Sequence, residues 1–137
     1  MVVRLSITLP DEVAESLDKY VREFNIQSRS KAISDALRAY LAERALPKGE
    51  VFAVLVYAYN PSRGETVRRI ITTQHGYHDE IVASAHVHLD EDACIEVAFF
   101  QGKSDDLKRL VGELERIPGV STVRVVMCQS AVARERD

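Results

Sequence analysis

His86 and His88 stand one residue apart, and Cys94 follows six positions later. Along an extended strand, residues i and i+2 project from the same side, so the two imidazoles share a face of whatever strand carries them. Cys94 comes just after the polar turn Leu89-Asp90-Glu91-Asp92-Ala93 and can fold back beside them. Two imidazoles and a thiolate are borderline-to-soft donors, suited to Ni, Cu, Co or Zn and poorly suited to Mg or Ca. The chain has 4 histidines. All of them fall between His75 and His88, which random scatter along the chain would rarely produce.

The elements that must carry these residues form two modules. Residues 3–9 alternate apolar and polar, a strand pattern with Leu5, Ile7 and Leu9 on one face and Arg4, Ser6 and Thr8 on the other. Pro10-Asp11-Glu12 opens a helix with acids in its first turn, and its apolar stripe is Val13, Leu17, Val21 and Phe24. After a break at Asn25-Ile26-Gln27, Ser28-Arg29-Ser30 starts a second helix with Ala32, Ile33, Ala36, Leu37, Tyr40 and Leu41 at helical spacing. One strand and two helices cannot close a core alone, so residues 1–45 are expected to work as an intertwined homodimer with paired strands.

A linker at 46–50 leads to a second module over 51–129. Its expected elements are a strand at Val51–Tyr59, a helix at Glu65–Gln74 with Val67, Ile70 and Ile71 on one side, and a hairpin of Ile81–Leu89 with Cys94–Gln101. A helix at Ser104–Ile117 with Ser104 as N-cap and a strand at Val120–Cys128 complete it. The order is βαββαβ, the ferredoxin-like arrangement. The fold class is therefore α+β, a βαα module followed by a ferredoxin-like domain. Residues 130–137 read as a polar tail, and Cys128 as a small buried residue.

The totals restrict function only broadly. A chain of 137 residues with 46% hydrophobic and 28% charged content suits a soluble globular protein. Val51–Tyr59, the longest apolar run, is too short to span a bilayer, so no membrane partner is expected. Met1-Val2-Val3-Arg4 lacks a signal-peptide pattern; a cytoplasmic location, with thiols rather than a structural disulfide, is the expectation. A net charge of −3 excludes a broadly basic nucleic-acid coat but leaves room for a local patch. Residues 1–48 hold 8 Lys/Arg against 7 Asp/Glu, and 49–137 hold 10 against 14, so the first module is the better partner for a polyanion.

Thr73-Gln74-His75, Asp79, Ala85-His86-Val87-His88-Leu89 and Cys94-Ile95-Glu96-Val97 make nearly the whole chain resemble the nickel-responsive transcriptional regulators of the NikR type. That resemblance implies a ribbon-helix-helix DNA-binding domain joined to an ACT-like metal-binding domain. It also implies a homotetramer built as a dimer of dimers, with one Ni(2+) per subunit. His86, His88 and Cys94 would come from one chain and His75 from a neighbour, in a square plane that favours Ni(II) or Cu(II) over tetrahedral Zn(II). The run His75-Gly76-Tyr77-His78-Asp79 departs from histidine-rich versions at Gly76 and Tyr77, so His78 is a candidate only for a secondary metal site.

The resemblance places Arg4, Ser6 and Thr8 at the base-reading positions of a two-stranded ribbon in the major groove of palindromic operator DNA. Ser28, Arg29 and Ser30 could hold a phosphate at a helix start, and Arg63 could touch the backbone. The implied function is a nickel-dependent repressor whose metal raises operator affinity. A metal storage or delivery protein is the alternative. Four protein ligands in one plane leave no equatorial vacancy for substrate, so an enzyme is not expected.

Overall fold

The structure, a computed structural model, describes residues 1–128; the expected tail at 130–137 lies outside them, as does the side chain of Cys128. Two compact units divide the chain, Met1–Ala42 and Glu43–Asp137.

In the first unit, helix α1 spans Asp11–Glu23 and helix α2 spans Arg29–Arg44, whose last two residues already belong to the second unit. α1 ends because Asn25 takes a left-handed conformation, φ 49°. The N–H of Ile26 then donates back to the Val21 carbonyl at 3.0 Å, which satisfies a carbonyl the helix leaves open. Ser28 caps α2 by accepting from the Lys31 N–H at 3.0 Å. Among the described residues of this unit only Ala32 is buried. Residues 1–10 form no strand, in contrast to the expected strand at 3–9. The alternation is present, but a ladder needs a second strand, and the single chain supplies none.

In the second unit, strands β1 (Glu50–Tyr59), β2 (Ile81–His88), β3 (Cys94–Lys103) and β4 (Arg124–Cys128) alternate with helices α3 (Gly64–His75) and α4 (Ser104–Glu115). The sheet order is β2-β3-β1-β4 with antiparallel neighbours, the ferredoxin-like arrangement. β1 alternates along its length: Val51, Ala53, Leu55, Tyr57 and Tyr59 are buried, while the residues between them are half-buried. The buried set joins Ala98 and Phe100 of β3, Ile70 of α3, and Leu107, Leu110, Val111 and Leu114 of α4 in one core. The opposite sheet face carries Phe52, Val54, Val56, Val97 and Phe99, all half-buried.

Four expected details differ. Ile71 is exposed, because Thr66 and Ile70 rather than Ile71 face the core from α3. Ser104 is the first helical residue of α4 and provides no side-chain cap; its N–H donates to the Gly49 carbonyl at 2.8 Å instead. α4 stops at Glu115, before Pro118 and Gly119. Gly119 has φ 91°, and an added Cβ there would lie 2.9 Å from Thr66 Oγ1. The last strand begins at Arg124, not Val120. Val120 makes an isolated bridge to Tyr59, and the Ser121 hydroxyl takes the Ala58 N–H at 2.8 Å, so a side chain interrupts the ladder.

Candidate metal centre

The β2–β3 hairpin sets the geometry of the site. Its register pairs His88 with Cys94 and His86 with Glu96. β1 continues both rows, with Tyr59 opposite Cys94 and Tyr57 opposite Glu96. Two parallel rows therefore cross three strands on the helix-covered face: Tyr59–Cys94–His88 and Tyr57–Glu96–His86. A bulge between Ile81 and Ala83 decides this placement. Ile81 pairs with Phe100, a core residue, yet Ala83 pairs with Phe99 on the other face. One extra residue at Val82 thus exchanges the faces, and the even-numbered residues that follow point to the side of Cys94.

Because β2 is the edge strand, His86 and His88 are exposed, whereas Cys94 and Glu96 one strand inward are buried. Imidazoles at an edge are reachable by another subunit, and a buried thiol backs them. Tyr59 donates to or accepts from His86 Nδ1 at 3.0 Å. Glu96 Oε2 lies 2.5 Å from the same nitrogen, close enough for an ion pair but not aligned for a hydrogen bond. Glu96 Oε1 accepts from Gln74 Nε2 at 2.9 Å, and that amide also donates to the Tyr57 hydroxyl at 2.7 Å.

Burial pushes the Glu96 carboxyl above the usual carboxylate range, opposed by the Gln74 hydrogen bond and the charge of His86. Burial likewise raises the Tyr59 hydroxyl, and the neighbouring Cys94 raises it further. Tyr57 is raised by burial and then by the Glu96 charge.

His75 ends α3 and is exposed. Among the described residues of one chain, no three His, Cys, Asp or Glu side chains gather closely enough to hold a metal ion. The hairpin thus brings His86, His88 and Cys94 onto one face without closing a site, and His75 is carried by a different element. His78 is exposed; its Nδ1 lies 3.2 Å from the His75 carbonyl and its Nε2 3.2 Å from Asp79. The donor set fits a nickel ion chemically: its nitrogens and thiolate are of the right softness, and the edge position leaves room for a fourth donor.

The candidate DNA residues lie elsewhere. Arg4, Ser6 and Thr8 are exposed in the strandless segment. Ser28 and Ser30 are exposed at the start of α2. Arg29 grips Asp18 of α1 with two bonds, Nε to Oδ1 at 2.6 Å and Nη2 to Oδ2 at 2.7 Å. The Arg29 guanidinium holds the Asp18 carboxyl below its ordinary range. Arg63 precedes α3 and is exposed. Tyr57, Tyr59, Gln74 and Glu96 are not candidate site residues by spacing or residue type alone, yet the fold places them around His86. The available signal was Glu96 itself, an acid two positions after Cys94 in an otherwise apolar strand.

Residues 52–128 match the family described as "NikR C terminal nickel binding domain", and residues 3–44 match "Ribbon-helix-helix protein, copG family". The chain belongs to the nickel-responsive regulator family. Relatives provisionally named nickel-responsive regulators include one from Pyrococcus abyssi, 35% identical over 128 residues, 92% of this chain and 93% of the relative. Another, from Thermococcus onnurineus, is 34% identical, with the same 92% and 93% coverage. An uncharacterized protein from Thermotoga maritima shares the fold with a TM-score of 0.54, at 21% identity over 58% of this chain and 99% of that one. This nickel-responsive regulator family combines a ribbon-helix-helix module with a nickel-binding domain and is not a family of enzymes. No helix among the described residues of this member is long and apolar enough to cross a membrane.

Proposed function

We propose that the protein is a cytoplasmic, nickel-dependent repressor, of the kind that controls nickel uptake genes. Each subunit binds one Ni(2+) through His86, His88 and Cys94 together with His75 of the partner subunit. The observation that carries this reading is the hairpin register: His88 faces Cys94 directly, with His86 on the same side. The distribution of exposure supports a shared site, since the two imidazoles lie on the edge strand while the thiol is buried. Cys94 binds as thiolate, its proton leaving as the metal enters.

The half-buried apolar face of the sheet and the open edge at β2 support assembly of these domains into a tetramer core. The ribbon module pairs two chains through residues 3–9, directing Arg4, Ser6 and Thr8 at base edges. Ser28, Arg29, Ser30 and Arg63 contact backbone phosphates. Metal shared between subunits favours the DNA-competent assembly by its differential affinity, a coupling of about 1–3 kcal/mol or roughly 5–150-fold in operator binding.

An electrophoretic titration of labelled promoter DNA, with and without nickel, tests the whole reading. Nickel should tighten binding in the native chain and have no effect in His86→Ala or Cys94→Ala. Nickel binding with no DNA shift under any condition would point instead to storage or delivery. A nickel response unchanged in both variants would refute the site.

A further inference from the structure

Gly112 leaves a gap in the middle of α4. A glycine inside a helix weakens it, so the position calls for a reason. Crowding is not that reason: an added Cβ would lie 3.7 Å from the Arg116 guanidinium, an ordinary contact. The gap opens into a cavity of about 150 Å³, lined by Arg44, Leu46, Lys108, Val111, Gly112 and Val125. Its floor is apolar. Val111 and Val125 are buried, and Leu46 packs against the same core. A dry space of roughly 150 Å³ takes one molecule about the size of benzene.

The mouth of the cavity is cationic. Lys108 lies one turn before Gly112, and Arg116, just past the helix end, folds its guanidinium back over the glycine. Lys108 stands 3.9 Å from Asp105, with both groups exposed, a pair that holds the ammonium weakly. Arg116 makes no ion pair among the described residues. The nearby acids are already engaged. Glu115 Oε1 accepts from Arg44 Nη1 at 2.6 Å. Glu43 Oε1 accepts from Arg124 Nε at 2.9 Å and from the Val125 N–H at 2.8 Å. Arg44 also donates to the Val123 carbonyl at 2.8 Å, so it is a fixed wall. Lys108 and Arg116 are the cations left to meet a ligand.

An apolar floor beneath a cationic mouth selects an amphipathic anion. We propose that this cavity binds a short aliphatic carboxylate, its chain on Val111, Val125 and Leu46 and its carboxylate at Lys108 and Arg116. A neutral alcohol of the same shape gains the floor contacts alone. A free amino acid brings an ammonium group among the cations and binds more weakly. All of these residues belong to the second unit, and none is a candidate metal donor, so the site stands or falls apart from the nickel reading.

The test uses the full, metal-free chain with labelled valine and leucine methyl groups. Isovalerate is the probe; isoamyl alcohol, leucine and inorganic phosphate are the comparisons. Isovalerate should shift the Val111, Val125 and Leu46 methyl signals saturably, and phosphate should leave them in place. Lys108→Gln should weaken isovalerate by about 2–5-fold, the range of one exposed charge pair, and the alcohol should lose at least as much in the native chain. Lys108→Glu should bind isoamylamine better than isovalerate. Gly112→Leu fills the gap with a better helix former, so it should lose the isovalerate shifts without lowering the unfolding temperature. Unmoved methyl signals, equal affinity for isovalerate and its alcohol, shifts as large with phosphate, or binding retained in Gly112→Leu would each overturn the proposal. Contacts between these methyls and another chain, seen in a mixture of labelled and unlabelled protein, would assign the cavity to a second copy and overturn it as well. Should Gly112→Leu fail to fold, the exposed Lys108→Glu still decides.

Discussion

Phe100, Leu107 and Leu110 of the second unit have no solvent exposure, whereas Leu5, Ile7, Phe24 and Leu41 of the first unit each expose more than half of their surface. Both units follow the same rule of apolar periodicity, yet only one has enough elements to satisfy it within a single chain. Four strands and two helices close a core on one face of a sheet. Two helices and a strandless segment do not. The contrast teaches that two helices and a strandless segment leave the apolar residues of the first unit uncovered within one chain, whereas the sheet and its helices cover theirs.

The strongest challenge to this contrast is to make the ribbon unable to pair. Leu5→Lys combined with Ile7→Lys should abolish operator binding in gel-shift assays, while the sheet domain keeps its unfolding transition. Retained DNA binding would mean that the first unit folds without a partner. On the other side of the comparison, Phe100→Ala should cost about 3–5 kcal/mol in urea denaturation.

Smaller effects sharpen the division of labour. Arg4→Ala should weaken operator binding by about 1–3 kcal/mol and relax base preference at one position, read by a panel of substituted operators. Cys94→Ala, or removal of nickel with a chelator, should erase the metal-dependent gain of roughly 5–150-fold while leaving metal-free DNA binding as it was. Asp18→Asn releases the Arg29 guanidinium from its exposed ion pair. Operator affinity should change by less than about twofold, because surface pairs of this kind contribute little.

The types of the candidate donors, their spacing and the order of elements in the second unit could all be read from the chain. His86 and His88 had to share a face because strand side chains alternate, and the short polar turn before Cys94 let it fold back near them. The βαα and βαββαβ patterns followed from periodicity and from breakers such as Pro118-Gly119. Ser104 shows the limit of such local signals: a serine at a helix start reads as a cap, but a long-range bond to Gly49 occupies its backbone instead.

Alternation cannot say which face of the sheet two residues occupy, since a slip of one position inverts it. The bulge at Val82 makes that choice, placing the imidazoles beside Cys94 and Glu96 instead of beside Ile95 and Val97. Nor could any local pattern show that Glu96 reaches Gln74, 22 positions earlier in the chain, and His86 at once. Residue chemistry is carried by the individual amino acid and its near neighbours, but register and burial arise only when distant segments pack. Those long-range contacts set His86 and His88 on the face of the sheet that holds Cys94.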